Sequence, residues 1–483
     1  MKKYFLLSSF CLSLLGIALI GGMSKTQTDR LDSPLLPNWP SNYTFFTIPF
    51  HFEVDQEIPF QTYSPLDNGI TNEGATLGRV LFYDNRLSLS RTVSCASCHV
   101  QEFGFADPAP VSSGQHGEKG IRNSIGLSNA GIPATGKFFW DSSADTMRNQ
   151  ILLAITSSIE MNLDTAILNE RLKETDFYAE LFYRAFGDST ISTEKSMKAI
   201  GQFVRSMVSF QSKYDWERNW NIFGTNFEDP FFSFTDQENL GKSLFHAHCQ
   251  SCHTGELFMT RDPRNNGINI DNTEQGFAEV TGLEEDLGKF KAPSLRNVEF
   301  TAPYMHDGRL QTLEEVIAFY STGIQPNPNL DTALIDASGK PKQFNFTTDE
   351  SKALIAFLKT LSDPVFLNDA RWSDPFDPNA STESVWDAGP FGFPWSIGDE
   401  MQSDIEIVAY PNPAISRLKI SYDNFQAEER QIVLRNLHGQ SLWAERSRAE
   451  SIEIKRQNWP AGVYFIEVIS DGRRLGQSKI IFQ

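Results

Sequence analysis

"SCASCHVQEFGFAD", residues 94–107, sets Cys95, Cys98 and His99 within five positions of one another. The same grammar returns in "AHCQSCHTGE", residues 247–256, as Cys249, Cys252 and His253. The chain holds five cysteines, so these two sites account for all of them but Cys11. Four chemistries use such a cluster: a disulfide, a zinc site, a thiol redox pair and a covalently attached haem. Zinc ribbons hold their cysteine pairs about 15–20 residues apart, whereas these pairs lie about 150 residues apart. A thioredoxin-type pair needs βαβ surroundings and gives no reason for a histidine after each second cysteine. A disulfide within each pair suits an exported chain but leaves both histidines without a role. Cys-x-x-Cys-His is the attachment signature of a c-type haem. The two thiols become thioethers on the haem vinyl groups and the histidine becomes the proximal iron ligand. Two matches in one chain predict two c-type haems.

A related string precedes each site, "LGRVLF" at 77–82 and "LGKSLF" at 240–245. Thr235 and Glu238 form a capping box that starts a helix ahead of the second. The first copy has nine more residues between its string and its cysteines. The chain therefore carries two diverged copies of one domain. Its N-terminus, two lysines and then an apolar run from Phe5 to Ile20, reads as an export signal over 1–24. An uncleaved anchor is the alternative, and Cys11 falls inside this segment. No other segment is apolar enough to span a membrane. A formal charge of −19 argues against nucleic acid and suits a basic redox partner.

A haem with a second strong axial ligand carries electrons, and one with an open face binds substrate. Six histidines remain for the far sides of the two irons. His51 and His438 read as surface residues. His246 and His248 stand too close to Cys249 to reach across a porphyrin. His116 and His306 are left, with methionine and tyrosine candidates.

At this point the chain resembles the di-haem cytochrome c peroxidase/MauG family. The resemblance is carried by "LGRVLFYDNRLS…SCASCH", "HGEKGIRNS", "FFWDSS", "SSIEMN" and "KAPSLRNVEFTAPYMHDGRLQTLEEVIAFY", in family order over roughly 69–362. It implies a mainly α chain with two cytochrome c-like haem domains in tandem, an N-terminal peroxidatic one (60–225) and a C-terminal electron-relaying one (226–365). By resemblance His99 and His253 are the proximal ligands. Glu160 is the distal acid–base carboxylate, and Gln150 a further residue of that pocket. Cleaving a peroxide needs a proton moved between its two oxygens, which a carboxylate can do as base and then acid. From the residues alone, Asp145–Met161 reads as one helix and Glu160 as its solvated end. Ten residues place Gln150 and Glu160 roughly 80° apart on an unbroken helix, so a shared pocket requires a break between them.

The resemblance makes His116 the removable distal ligand that some members hold; an exposed loop histidine is the alternative. In the second domain it aligns Tyr320 with the axial position. An anionic phenolate there favours ferric iron, where a thioether favours ferrous. Val316, Phe319 and Tyr320 also have the spacing of a buried helix face, and Met305 is a competing ligand. Trp140 matches the tryptophan between the haems; the alternative is a core tryptophan. Asn123, Thr301 and Pro303 match the family's calcium site, whose oxygen-only ligation suits that ion.

The haem unit closes with a helix that starts at a Thr347–Glu350 capping box and carries a Leu354, Phe357, Leu358, Leu361 stripe. A linker without regular structure is expected after Asp363, over 366–404. From 405 to 483 the pattern alternates ("RLKISY", "QIVLRN", "SIEIKR", "GVYFIEV", "SKIIF"), which predicts a small all-β sandwich. "VAYPNPA" and the closing strands resemble the sorting domain of type IX secretion substrates; a carbohydrate- or protein-binding module is the alternative. These readings imply an exported oxidoreductase, in the periplasm, on the cell surface or secreted, that meets the type IX machinery. It reduces hydrogen peroxide with electrons from a donor cytochrome or other small redox protein. The alternatives are a MauG-like oxidase, which turns haems oxidised by peroxide on a protein or organic substrate, and a di-haem electron carrier.

Overall fold

The strings "LGRVLF" and "LGKSLF" lie on two helices that pack in the same way. In the computed structural model these are α2 (Asn72–Tyr83) and α8 (Asp236–His248), and a short α1 (Phe50–Glu53) precedes them. The structure describes residues 30–37, 40–44, 49–53, 67–132, 137–220, 229–260, 262–271, 273–379, 407–410, 416–422, 428–436, 441–459, 462–470 and 473–482. The expected export signal, His438 and most of the expected linker lie outside the described residues. Among those described, no helix is long and apolar enough to cross a membrane.

Between α2 and α8 run α3 (Met147–Thr156), α4 (Thr165–Lys173), α5 (Asp176–Phe186), α6 (Thr193–Arg205) and α7 (Lys213–Trp220). After α8 come α9 (Ala278–Thr281), α10 (Leu313–Ala318), α11 (Thr348–Lys359) and α12 (Pro364–Asn368). In each half an early helix crosses a late one at a glycine, α2 over α6 and α8 over α11. A Cβ on Gly78 would stand 2.0 Å from the carbonyl oxygen of Ala199 on α6 and 2.8 Å from the Phe203 Cβ. A Cβ on Gly241 would stand 1.8 Å from the Ala353 oxygen on α11 and 2.9 Å from the Phe357 Cβ. The glycines let the backbones touch, and Phe82 and Phe245, four residues on, pack into the cores beside them. Burying each such phenylalanine contributes about 1.5–3 kcal/mol. Both predicted capping boxes, Thr235–Glu238 and Thr347–Glu350, are formed.

Three expectations are corrected. The helix expected over 145–161 is α3, which stops at Thr156, because Ser157 turns to ψ 124°. Residues after Asp363 do not begin a linker: Pro364–Asn368 is helical and Ala370–Trp372 a 3₁₀ turn. This strap lies against the first half. Phe366 meets Phe105 at 5.6 Å, and Tyr83 Oη donates to the Trp372 carbonyl at 2.7 Å. Its aromatic side chains complete the first core, a long-range contact that local sequence does not announce. Finally, His51 is buried rather than a surface residue. Its Nε2 lies 3.0 Å from Asp215 Oδ1, and Arg296 holds the other carboxylate oxygen at 2.7 Å. A buried carboxylate requires such partners.

The contact pattern divides the chain into two compact units, 1–392 and 393–483. Among its described residues the second holds seven strands: β1 (Ile407–Tyr410), β2 (Arg417–Tyr422), β3 (Arg430–Asn436), β4 (Ser441–Ser447), β5 (Ser451–Lys455), β6 (Gly462–Ser470) and β7 (Arg473–Phe482). They form antiparallel sheets in the orders β1-β2-β5 and β4-β3-β6-β7. Leu418, Ile420 and Ile454 from one sheet share a core with Ile432, Leu434 and Ile466 from the other. Alternation along each strand sends these side chains to a single face.

Candidate functional site

Both Cys-x-x-Cys-His sites end in the same bonded loop. Residue Val100, after His99, bridges to Ala106, and Thr254, after His253, bridges to Met259. The residue before each far partner, Phe105 or Phe258, takes a left-handed backbone with φ 59° or 52°. That turn aims its carbonyl at the histidine ring. His99 Nδ1 lies 2.7 Å from the Phe105 oxygen and His253 Nδ1 3.0 Å from the Phe258 oxygen. A carbonyl can only accept, so Nδ1 carries the proton and Nε2 keeps its lone pair for a metal. Burial pushes both imidazoles below their ordinary pKa, which keeps them neutral, as a ligand must be.

The cysteines are free. Burial pushes Cys95 and Cys249 up to about 12 and Cys98 up to about 11. A redox dithiol relies on a ready thiolate, which burial disfavours at both sites. Among the described residues no His, Cys, Asp and Glu cluster is arranged to hold a metal by itself. Neutral thiols beside an imidazole with a free Nε2, each backed by an apolar helix, fit a covalently attached haem.

Glu160 sits on the turn that follows α3, its N–H donating to the Ser157 carbonyl at 3.1 Å. The break brings it toward the first site, close enough that its charge contributes to raising both Cys95 and Cys98. Its carboxyl reaches solvent, yet the protein packed around it desolvates the charge and raises its pKa to about 7. Gln150 stays on α3, half-buried. His116 is exposed on the loop closed by the Ser113–Lys119 bridge, its N–H donating to Glu118. The same loop touches the Glu160 turn: Gln115 N–H donates to the Glu160 carbonyl at 3.1 Å.

The second site opens on a cavity of about 230 Å³ whose walls include His253, Cys252, Trp140, Met305 and Tyr320. Tyr320 belongs to a π-helical turn, Phe319–Gly323, that continues α10. Such turns often mark functional positions. Burial pushes the Tyr320 phenol up to about 12. Met305 has φ 74°, a conformation that costs a non-glycine residue about 1–2 kcal/mol. Asn266 touches both, with Nδ2 3.4 Å from Met305 Sδ and 3.5 Å from Tyr320 Oη.

Trp140 is bonded to both halves. Its Nε1 donates to the Asn123 carbonyl at 2.7 Å, and its own carbonyl accepts from Lys291 N–H at 2.8 Å. Asn123, Thr301 and Pro303 line the same cavity. The Asn123 amide nitrogen donates to the carbonyls of Ala109 (3.0 Å) and Asp107 (3.4 Å), which leaves its oxygen as the end able to meet a cation.

A model of the di-haem cytochrome c peroxidase family matches residues 72–219, and one of a secretion-system C-terminal sorting domain matches 408–483. The MauG methylamine utilization protein of Methylorubrum extorquens is 33% identical over 311 residues, 62% of this chain and 80% of that protein. The cytochrome-c peroxidase IdrP1 of Denitromonas iodatirespirans is 29% identical over 351 residues, 66% and 89%. The chain belongs to the di-haem cytochrome c peroxidase/MauG family. A solved MauG-like protein associated with microbial copper homeostasis is 34% identical, covering 64% of this chain and 95% of its own, with a TM-score of 0.56.

As a member of that family the protein is a cytochrome-c-peroxidase-type oxidoreductase, and the family carries two c-type haems. Its sorting domain indicates export. Three features of this di-haem protein escape sequence reasoning. Asn266 has no motif around it. His306 reads as one of two remaining axial-ligand candidates, yet it is buried, stacks on Phe290 at 3.8 Å, meets Trp140 edge-on at 6.4 Å and pairs with Glu274 at 2.9 Å. Arg122 ties Glu274 and Glu279 of the second half to Asp141 of the first. The only advance signal was that Arg122, Asp141, Lys291 and His306 fall within the strings that carry the resemblance.

Proposed function

We propose that the protein is a di-haem c-type peroxidase that reduces hydrogen peroxide to water with electrons from a small redox protein. Its two cytochrome c-like domains each hold one haem, and its β-sandwich tail directs export through a type IX machinery. When bound, the haems supply the iron that meets peroxide in the first half and the electron store in the second. His99 and His253 would hold the irons through Nε2, their rings oriented by the Phe105 and Phe258 carbonyls. Glu160 takes a proton from one peroxide oxygen and delivers it to the other, so the O–O bond breaks and one water leaves. Two electrons and two protons complete the conversion to a second water. Gln150 lines this pocket. Trp140, bonded to both halves, relays electrons between the haems. Tyr320 would hold the second iron, Asn123, Thr301 and Pro303 would hold calcium, and His116, on the loop that touches the Glu160 turn, would be the removable ligand of the first iron.

The observation that carries this reading is Glu160. A carboxyl with a pKa near 7 beside the first haem-attachment cysteines is poised to accept and return a proton at neutral pH. The test is turnover of hydrogen peroxide with reduced small cytochromes. Steady donor oxidation is expected, lowered by about 10²-fold in Glu160→Gln. A second reading, a MauG-like oxidase of a protein or organic substrate, is favoured by Tyr320, since a phenolate suits iron above the ferrous state. Peroxide-oxidised protein that persists for minutes beside reduced donor would select that reading over the peroxidase.

A further inference from the structure

Two side chains with opposite preferences for iron oxidation state share one corner of the second cavity. The Asn266 amide nitrogen reaches both Met305 Sδ, at 3.4 Å, and Tyr320 Oη, at 3.5 Å. All three residues line the cavity that holds His253 and Cys252. We propose that Met305 is the reserve ligand of the second haem, taking the axial position that Tyr320 leaves when that haem is reduced. This rests on the reading that Tyr320 ligates the ferric iron.

The ligand chemistry supports an exchange. A phenolate is a hard anionic donor and favours ferric iron, whereas a thioether is soft and neutral and favours ferrous iron. Methionine has three rotatable side-chain bonds and adapts to irregular space. The left-handed backbone of Met305, held in a turn by the Tyr304–Leu310 bridge, directs this flexible side chain to the cavity wall. The π turn at Phe319–Gly323 departs from regular helix around Tyr320, which must move away. Asn266 can stay with whichever side chain is released. The exchange balances as follows. One electron from the redox-protein donor reduces the ferric iron. The bond to the Tyr320 oxygen breaks, and that oxygen takes one proton from water. A sulfur lone pair of Met305 forms the new bond. Reoxidation reverses each change.

The test uses the full-length, haem-loaded protein and reads absorption and magnetic circular dichroism in the ferric and fully reduced states. Met305→Leu conserves volume, so its ferric spectrum should coincide with wild type, which also shows that the fold is intact. Its reduced spectrum should lose the thioether-ligated form, and the midpoint potential of that haem should fall. Ferric Tyr320→Phe should gain a sulfur-to-iron charge-transfer band that the double variant lacks. Coincident reduced spectra for wild type and Met305→Leu overturn the exchange and leave Tyr320 as a ligand. A ferric spectrum that Tyr320→Phe does not alter overturns the ligand reading itself, and the exchange with it.

Discussion

Trp140 Nε1 donates to the carbonyl of Asn123 at 2.7 Å, and the Asn123 side chain belongs to the candidate calcium site on the same cavity wall. One residue thus couples the indole between the halves to the proposed cation. Trp140→Phe keeps an aromatic ring but removes that bond. We expect re-equilibration of an electron between the haems to slow by roughly tenfold, equivalent to about 1.4 kcal/mol of barrier. Stopped-flow spectroscopy of half-reduced protein reads this directly. An unchanged rate would return Trp140 to a packing role.

Calcium removal should act through the same wall. Chelation, or Asn123→Ala in place of it, is expected to alter the spectra of both haems and slow the same electron transfer, with calcium restoring only the wild type. Equal behaviour of chelated and calcium-loaded wild-type protein would dismiss the site.

Glu160 should impose a pH dependence of known sign. As a base it must be ionised, so the rate of the first reaction with peroxide should rise as pH passes through about 7. Stability should run the other way. Folding raises this carboxyl above its ordinary value of 4.5, so between 4.5 and about 7 the native state keeps a proton that the unfolded state has released. Stability therefore falls as pH rises across that window. Glu160→Gln should abolish the rate dependence, read by stopped flow, and remove this carboxyl's share of the stability dependence, read by denaturant unfolding. A flat rate profile in wild type would remove Glu160 from the acid–base role.

The two helix crossings predict matched losses of stability. Gly78→Ala and Gly241→Ala would each press a methyl group within 2.0 Å of a backbone carbonyl. Overpacking of this kind costs about 1–3 kcal/mol. Gly69→Ala, where nothing lies within 4 Å, should cost far less. Denaturant midpoints of the three variants decide it; equal midpoints would mean that the helices separate without penalty.

Local features were legible in the sequence because their causes are local. The capping boxes at Thr235 and Thr347 need only a residue and its neighbour three positions on, and both form. The alternation after residue 405 appears as strands with apolar residues on one face. The reading failed where a distant segment decided the outcome. The strap after Asp363 reads as a linker without regular structure until Phe366 and Trp372 find the first core. His51 reads as exposed until Asp215 and Arg296 are placed around it. Glu160 reads as a helix end until Ser157 breaks α3 and turns it toward Cys95 and Cys98.

By itself, the sequence determined what is covalent or contiguous. Haem attachment needs two thiols and a histidine at fixed spacing, and the chain states that pattern twice, each time near the helix that backs it. The tertiary structure alone decided what surrounds those haem sites. Asn266, Met305 and Tyr320 lie far apart along the chain, as do Asn123, Trp140 and Lys291. Their meeting depends on the loops that bring them to one cavity and on the bonds that tie Trp140 to both halves. Those distances follow from packing, which no spacing of residues encodes.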